Sequence, residues 1–238
     1  MKIQRLLLFL FSISILTVFS QDHETYQVSL LANVGIPSAE LKEAVDNPIG
    51  GTAVGLGFNA LFNPKGKKGY SPVFIGADFS YVTFGRDKQP STPTAPPYKT
   101  SFNYYGISGQ SRFFLSNKQV GFVPFVDGLL GVKIFNTRTK IDKNVINIIV
   151  NDDEPEVINT TNDAGLGYAL GAGFYTRKAL NENGNRDVSF TLRAMYHWGD
   201  QTSYVKRGSL AVNNGTVSYE TGYTKTNMIM IQLGIILN

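Results

Sequence analysis

The chain has 238 residues, with no Cys, 24 Gly, 16 Phe and 12 Tyr, and a formal net charge of +4. At 42% hydrophobic it is too apolar for a disordered chain, yet its 17% charged residues fall below the roughly 25% usual for soluble domains. The missing Cys excludes disulfide frameworks, thiolate metal sites and cysteine nucleophiles, and the length suits one medium domain.

The chain opens with Lys2 and Arg5, continues through an apolar stretch from Leu6 to Phe19, and reaches small Ser20 before polar Gln21 and Asp22. This pattern predicts a secretory signal peptide over 1–20, cleaved after Ser20, and a single mature domain over 21–238. A retained anchor is the competing reading, but a spanning helix needs roughly 20 apolar residues and this stretch is shorter. Removal of Lys2 and Arg5 lowers the formal charge from +4 to +2, so the basic balance is no sign of nucleic-acid binding. No later segment is a long uninterrupted apolar run, and any membrane crossing must use strands.

Eight segments with apolar residues at every second position follow, as expected for strands with one face against apolar surroundings. The first two place Val28, Leu30, Ala32 and Val34, then Val54, Leu56, Phe58, Ala60 and Phe62, on their apolar faces. The third sets Val73, Ile75, Ala77, Phe79 and Tyr81 against Gly76, Asp78 and Ser80, and the fourth sets Tyr105, Ile107 and Phe113 against Ser108, Gln110 and Arg112. The fifth opposes Val126, Leu130, Val132 and Ile134 to Asp127 and Lys133, and the sixth opposes Leu166, Tyr168, Leu170 and Phe174 to Gly167, Gly171 and Gly173. The seventh has Phe190, Leu192, Ala194, Tyr196 and Trp198 against Thr191, Arg193 and His197, and the last runs Ile229, Ile231, Leu233, Ile235 and Leu237 against Gln232 and Gly234.

Eight strands close a small barrel. The connections alternate: long over 36–51, 85–99, 137–163 and 199–222, short over 63–69, 115–121 and 178–187. Short turns on one side and long loops on the other match an all-β, eight-stranded antiparallel up-and-down transmembrane barrel with periplasmic turns, four extracellular loops and both termini periplasmic. Tyr81, Tyr105, Tyr168, Tyr196 and Trp198 then fall near the outer strand ends, and Phe62, Phe113 and Phe174 near the inner ends, as two aromatic girdles. A soluble lipocalin-like barrel is the rival, but its interior must be apolar, whereas here the inward face carries Gly, Ser, Gln, Asp and Arg.

The inward charges are Asp78, Arg112, Asp127, Lys133 and Arg193, joined by His197. In a lumen just wide enough for its own side chains, mixed charges pair, and these six are expected to form an ion-pair plug, with Arg193 meeting Asp78 or Asp127. The competing use is a conduit lined by Gly167, Gly171, Gly173, Arg193 and His197, although the glycines also read as steric relief beside bulky Arg193 and Met195. His197 lies close in sequence to Asp200 and Ser203, which permits a hydrolytic triad without specifying one. No catalytic cluster, cofactor motif or metal-ligand spacing stands out, so neither enzyme activity, cofactor nor metal is expected. In the third long loop, Asp152, Asp153, Glu154 and Glu156 follow the apolar run from Val145 to Val150, which reads as strands five and six extending as a hairpin with a solvated acidic tip. The second long loop is made irregular by Pro90, Pro93, Pro96 and Pro97.

The stretch from Pro124 to Gly131 leading to Asn136 and Arg138, the segment Tyr196 to Gly199, Tyr204 with Lys206, and the closing strand from Thr226 through Gly234 together resemble the small outer-membrane barrels of Gram-negative bacteria. The family is the OmpA/OmpX-like superfamily, within the broad porin family, and more narrowly the outer-membrane barrels of Bacteroidota. The resemblance implies residence in the outer membrane among its lipids and lipopolysaccharide, and insertion by the barrel assembly machinery. It also implies a structural, envelope-integrity or partner-binding role through the loops or outer wall, with a narrow channel or a lipid-modifying enzyme as alternatives. The chain departs from the family in ending on Asn238 rather than an aromatic residue, and no peptidoglycan-binding domain follows the barrel.

Overall fold

A computed structural model describes residues 25–45, 51–66, 71–90, 97–116, 121–141, 157–177, 188–206, 209, 211–213 and 216–237. The barrel strands are β1 (Tyr26–Pro37), β2 (Ala53–Phe62), β3 (Val73–Gln89), β4 (Tyr98–Phe114), β5 (Gly121–Ile141), β6 (Val157–Arg177), β7 (Ser189–Gly199) and β12 (Met228–Leu237). Between β7 and β12 run the short strands β8 (Gln201–Val205), β9 (Ala211–Asn213), β10 (Thr216–Ser218) and β11 (Thr221–Lys225), and one helix, α1 (Ala39–Val45), follows β1.

Each barrel strand pairs antiparallel with its sequence neighbour, and β1 also pairs with β12 from Val28↔Leu237 to Pro37↔Met228, which closes the barrel. Closure leaves no unpaired edge in the ring. The side-chain period of two then sorts every strand into an inward and an outward face. Leu30, Leu56, Phe58, Ile107, Leu130, Leu170, Phe190 and Leu233 are exposed on the outer wall, whereas Asn33, Asp78, Gln110, Arg112, Asp127, Arg193 and Gln232 are buried inside. The molecule is inside out relative to a soluble barrel at its waist.

The interior differs from the sequence expectation at both ends. Toward the end where β1 begins and β12 finishes, Leu61, Phe74, Phe114, Val123, Phe125, Tyr175 and Ile236 form an apolar layer across the lumen. At the opposite, loop-bearing end a second apolar layer gathers Leu41, Val45, Val82, Phe84, Phe102, Tyr104, Phe135, Met228 and Met230. The strands are apolar on both faces there, so alternation shows only the outward set.

Leu41 and Val45 come from α1, inside the segment 36–51 expected to be a loop. Ala, Glu, Leu and Lys are strong helix formers, the Ser38 carbonyl accepts from Lys42 N–H at 2.8 Å, and Glu40 stands in the first turn where the helix dipole favours it. Glu40 Oε1 also accepts from the Lys225 backbone N–H of β11 at 3.0 Å, tying this cap to the β8–β11 hairpin.

The connections after β3 and β5 are shorter than the sequence reading allowed, because the strands they join are taller. Strands β3 and β4 have 17 residues each and β5 and β6 have 21, against 10 to 12 for β1, β2, β7 and β12. Strands β3 to β6 therefore rise well past β1 and β2, while β7 and β12 continue through the β8–β11 hairpin. The β5–β6 pairing extends to Lys140↔Val157. The apolar run and acidic residues beyond it, and Pro93 and Pro96, lie outside the described residues.

Candidate functional site: the sealed lumen and its charged layer

Two arginines and two aspartates occupy the middle of the barrel. Arg112 on β4 grips Asp127 on β5 side-on, with Nε to Oδ1 and Nη2 to Oδ2 both at 2.8 Å, and the register sets these residues directly opposite each other. Arg193 on β7 donates Nη1 to Asp127 Oδ2 at 2.9 Å and Nη2 to Asp78 Oδ2 on β3. The four formal charges cancel.

Amides and hydroxyls meet further donors and acceptors of this layer, although Gln110 Oε1 and the Asn59 amide are buried without a partner among the described residues. Gln110 Nε2 donates to Asp127 at 2.8 Å, Arg193 Nε donates to Gln232 Oε1 at 2.6 Å, and Gln232 Nε2 donates to Asn33 at 2.8 Å. Ser80 Oγ donates to Asp78 Oδ1 at 2.8 Å, and Arg112 Nη1 to Gln27 Oε1 at 3.3 Å. The Arg112 guanidinium carbon also sits 3.8 Å from the centroid of the Phe125 ring, so the cation rests on the aromatic layer beneath it. Charge-assisted and bidentate bonds of this kind are the strong ones, and a buried layer holds only when its members are satisfied together.

Of the six residues expected in the plug, four make it. Lys133 stands toward the loop end and donates Nζ to the Asp200 carbonyl and to Thr226 Oγ1, the latter at 2.7 Å, so it fastens the β7–β8 connection rather than joining the ion pairs. His197 is buried and packs edge-on against Tyr104 with ring centroids 6.3 Å apart, and its Nε2 has no hydrogen-bond partner. The possible triad is not assembled. Ser203 Oγ donates to Asp163 at 2.8 Å, and Asp200 Oδ2 accepts from Leu166 N–H at 3.2 Å, so both partners are engaged away from His197.

The glycines proposed for a conduit face filled space. Gly171 and Gly173 pair with Met195 and Arg193. A Cβ on Gly173 would stand 2.4 Å from the Leu192 carbonyl oxygen, 2.7 Å from Arg193 Cβ and 2.8 Å from Phe125 Cζ. A Cβ on Gly167 would meet the Lys133 stem at 3.4 Å. Along the barrel axis the described residues thus place one apolar layer at each end and the charged layer between them.

On the outer wall the aromatic residues expected as girdles touch one another in small groups. Tyr81 and Tyr105 meet at a tilt with centroids 5.0 Å apart, and Trp198 stands 4.6 Å from Tyr196 and stacks on Tyr168 at 5.5 Å. At the other end Phe174 meets Phe122 at 5.4 Å, and Phe62 and Phe113 are exposed on the same outer face. Among the described residues no group of three or more His, Asp or Glu is placed to hold a metal ion.

No protein-family model matches the chain. No curated protein matches its sequence either. Among solved structures, the N-terminal β-barrel domain of Pseudomonas aeruginosa OprF aligns with 92% of this chain and 100% of its own at 9% identity, with a TM-score of 0.35. The Yersinia pestis outer membrane protein Ail, solved in a phospholipid bilayer nanodisc, aligns with 90% of this chain and 100% of its own at 12% identity and a TM-score of 0.36. Nothing that those proteins do carries over at that distance, and the fold rests on the strand register closed from β1 to β12.

Proposed function

We propose that the mature chain is an integral, non-enzymatic barrel of a Gram-negative outer membrane, of the OmpA/OmpX-like kind and more narrowly of the Bacteroidota type its sequence resembles, with both termini periplasmic. Its lumen is closed, and its work, whether envelope integrity or holding a partner, is done by the outer wall and the loop-bearing end.

One observation carries this reading: an apolar wall between two aromatic girdles surrounds a neutral, hydrogen-bonded ion cluster sealed above and below. The outward apolar band suits hydrocarbon, the aromatics suit its two interfaces, and a filled interior suits a barrel of eight strands. Among the described residues no helix is long and apolar enough to cross a membrane.

The test has two readouts. The refolded chain is expected to float with phospholipid vesicles and to resist protease, and it is expected to pass no steady current in a planar bilayer. A protein left in the soluble fraction would refute the membrane reading, whereas a stable open-channel current would move the function to the conduit.

A further inference from the structure

The raised part of the wall carries a second site, outside the lumen. On β3, β4 and β5 the outward residues above the girdle fall into rows set by the strand register. Tyr81, Tyr105 and Ile134 form the lowest row. Above it Asn103, Asn136 and Asn162 form an amide ladder, with Asn103 Nδ2 donating to Asn136 at 3.1 Å and Asn136 Nδ2 to Asn162 at 2.6 Å, while the Tyr81 hydroxyl donates to Asn103 at 3.2 Å. The next row is Arg86, Ser101 and Arg138, and the top row is Lys88, Lys99 and Lys140.

A bulge builds this arrangement. Between Thr83↔Asn103 and Arg86↔Ser101, β3 advances three residues while β4 advances two. The extra residue is accommodated at Gly85, whose φ of +92° is open to glycine and strained for other residues. Phe84 remains buried in the lumen, whereas Arg86 and Lys88 are exposed outside, on the face of Lys99, Arg138 and Lys140. Without the bulge, strict alternation would send both inward.

Five cations thus share two rows. Like charges on directly opposite strand positions repel, and among the described residues no acidic side chain stands in these rows and none makes an ion pair with Arg86, Arg138 or Lys140. Lys140 registers the crowding: desolvation first, then repulsion from Arg138, Lys99 and Arg86, holds its ammonium below the usual lysine range. A groove of about 400 Å³ runs over the two rows, the amide ladder and the tyrosines. Lower on the same wall, small Gly109, Ser111 and Gly128 leave an apolar recess of about 700 Å³ flanked by Ile75, Leu130 and Leu170.

Resting on the membrane reading above, we propose that this wall is a docking surface for a phosphorylated glycolipid of the outer leaflet, its phosphates on the Arg and Lys rows and an acyl chain along the recess below. The order from recess to aromatics to amides to cations is the order of acyl chain, interface, sugar hydroxyls and phosphates in such a lipid. Charge complementarity selects the occupant, because Arg86, Arg138 and Lys140, which make no ion pair among the described residues, gain most at headgroup depth from a multiply anionic ligand.

The test uses full-length mature protein refolded into phosphatidylcholine vesicles doped with either bisphosphorylated lipid A or its dephosphorylated form, followed by gentle extraction and native mass spectrometry. Wild-type protein is expected to retain the bisphosphorylated lipid and not the dephosphorylated one. The triple variant Arg86→Gln, Arg138→Gln, Lys140→Gln is expected to retain at least about tenfold less, since each basic residue near an anionic surface contributes on the order of a factor of five. Equal retention of both lipids, or an unaffected triple variant, would overturn the proposal. Flotation of every sample separates the two levels: protein that enters no vesicle overturns the membrane reading and the docking surface with it. Floating protein without lipid preference overturns the docking surface alone.

Discussion

Arg193 and Asp78 are joined across the full width of the barrel. They belong to β7 and β3, four places apart in a ring of eight strands, and are 115 residues apart in sequence. With Asp127 accepting from both Arg193 and Arg112, the charged layer ties β3, β4, β5 and β7 together from the inside.

Removing one member of the layer leaves buried charge without compensation. Asp127→Ala is expected to destabilise the refolded barrel by about 3–5 kcal/mol, as for other broken buried pairs. The double variant Asp127→Ala, Arg112→Ala is expected to recover a substantial part of that loss, because Arg193 and Asp78 remain as a neutral pair. Urea titration in detergent, followed by the gel mobility difference between folded and unfolded barrels, gives both values. A double variant that is no better than the single would show that the charge balance is not what matters.

Opening the charged layer does not open the barrel. Arg193→Ala is expected to carry no steady current in a planar bilayer, since the layers containing Phe125 and Phe135 still close the two ends. A large current from this single variant would place the whole seal in the ion pairs.

Gly173 lies where β6 passes closest to Arg193. Gly173→Ala is expected to cost about 1–3 kcal/mol through forced displacement of a well-packed interior. The same urea titration reads it, and an unchanged midpoint would mean that β6 shifts freely.

Lys140 carries a pH signature. Its ammonium is held below the usual lysine range in the folded protein, so the unfolded chain binds the proton more tightly, and the strain is present at neutral pH and relieved as pH rises toward the ordinary lysine value. Lys140→Gln is therefore expected to raise the urea midpoint slightly at pH 7, with the gap to wild type closing as the pH approaches about 10.4. A gap constant with pH would remove like-charge crowding as its origin. The effect is small because the side chain is largely solvated.

The barrel was legible because its signal is periodic and repeated: eight outward faces, from Leu30 to Leu237, each state the same rule. The charge partners were less legible. Alternation places Asp127, Lys133 and Arg193 on one inward face, but not at one height, and Lys133 stands far enough toward the loop end to reach Thr226. Inward Phe74 and Phe114 were not legible because the outward neighbours beside them, Val73, Ile75, Phe113 and Leu115, are also apolar, which erases the period. The cap formed by Ala39–Val45 is too short to impose a helical period against a loop background. The cationic rows were hidden by Gly85, since a one-residue bulge reverses the parity on which a reading of β3 depends.

The unequal strand heights give the molecule a front and a back. A barrel with a level rim presents much the same profile whichever way it is turned about the bilayer normal. Here β3 to β6 stand up on one side and β7 and β12 continue upward through the β8–β11 hairpin, while β1 and β2 stop lower. Seen from the side, the barrel shows either a tall basic screen or the lower apolar wall of β1 and β2. The rim is therefore directional, with the basic rows of β3, β4 and β5 on one side only.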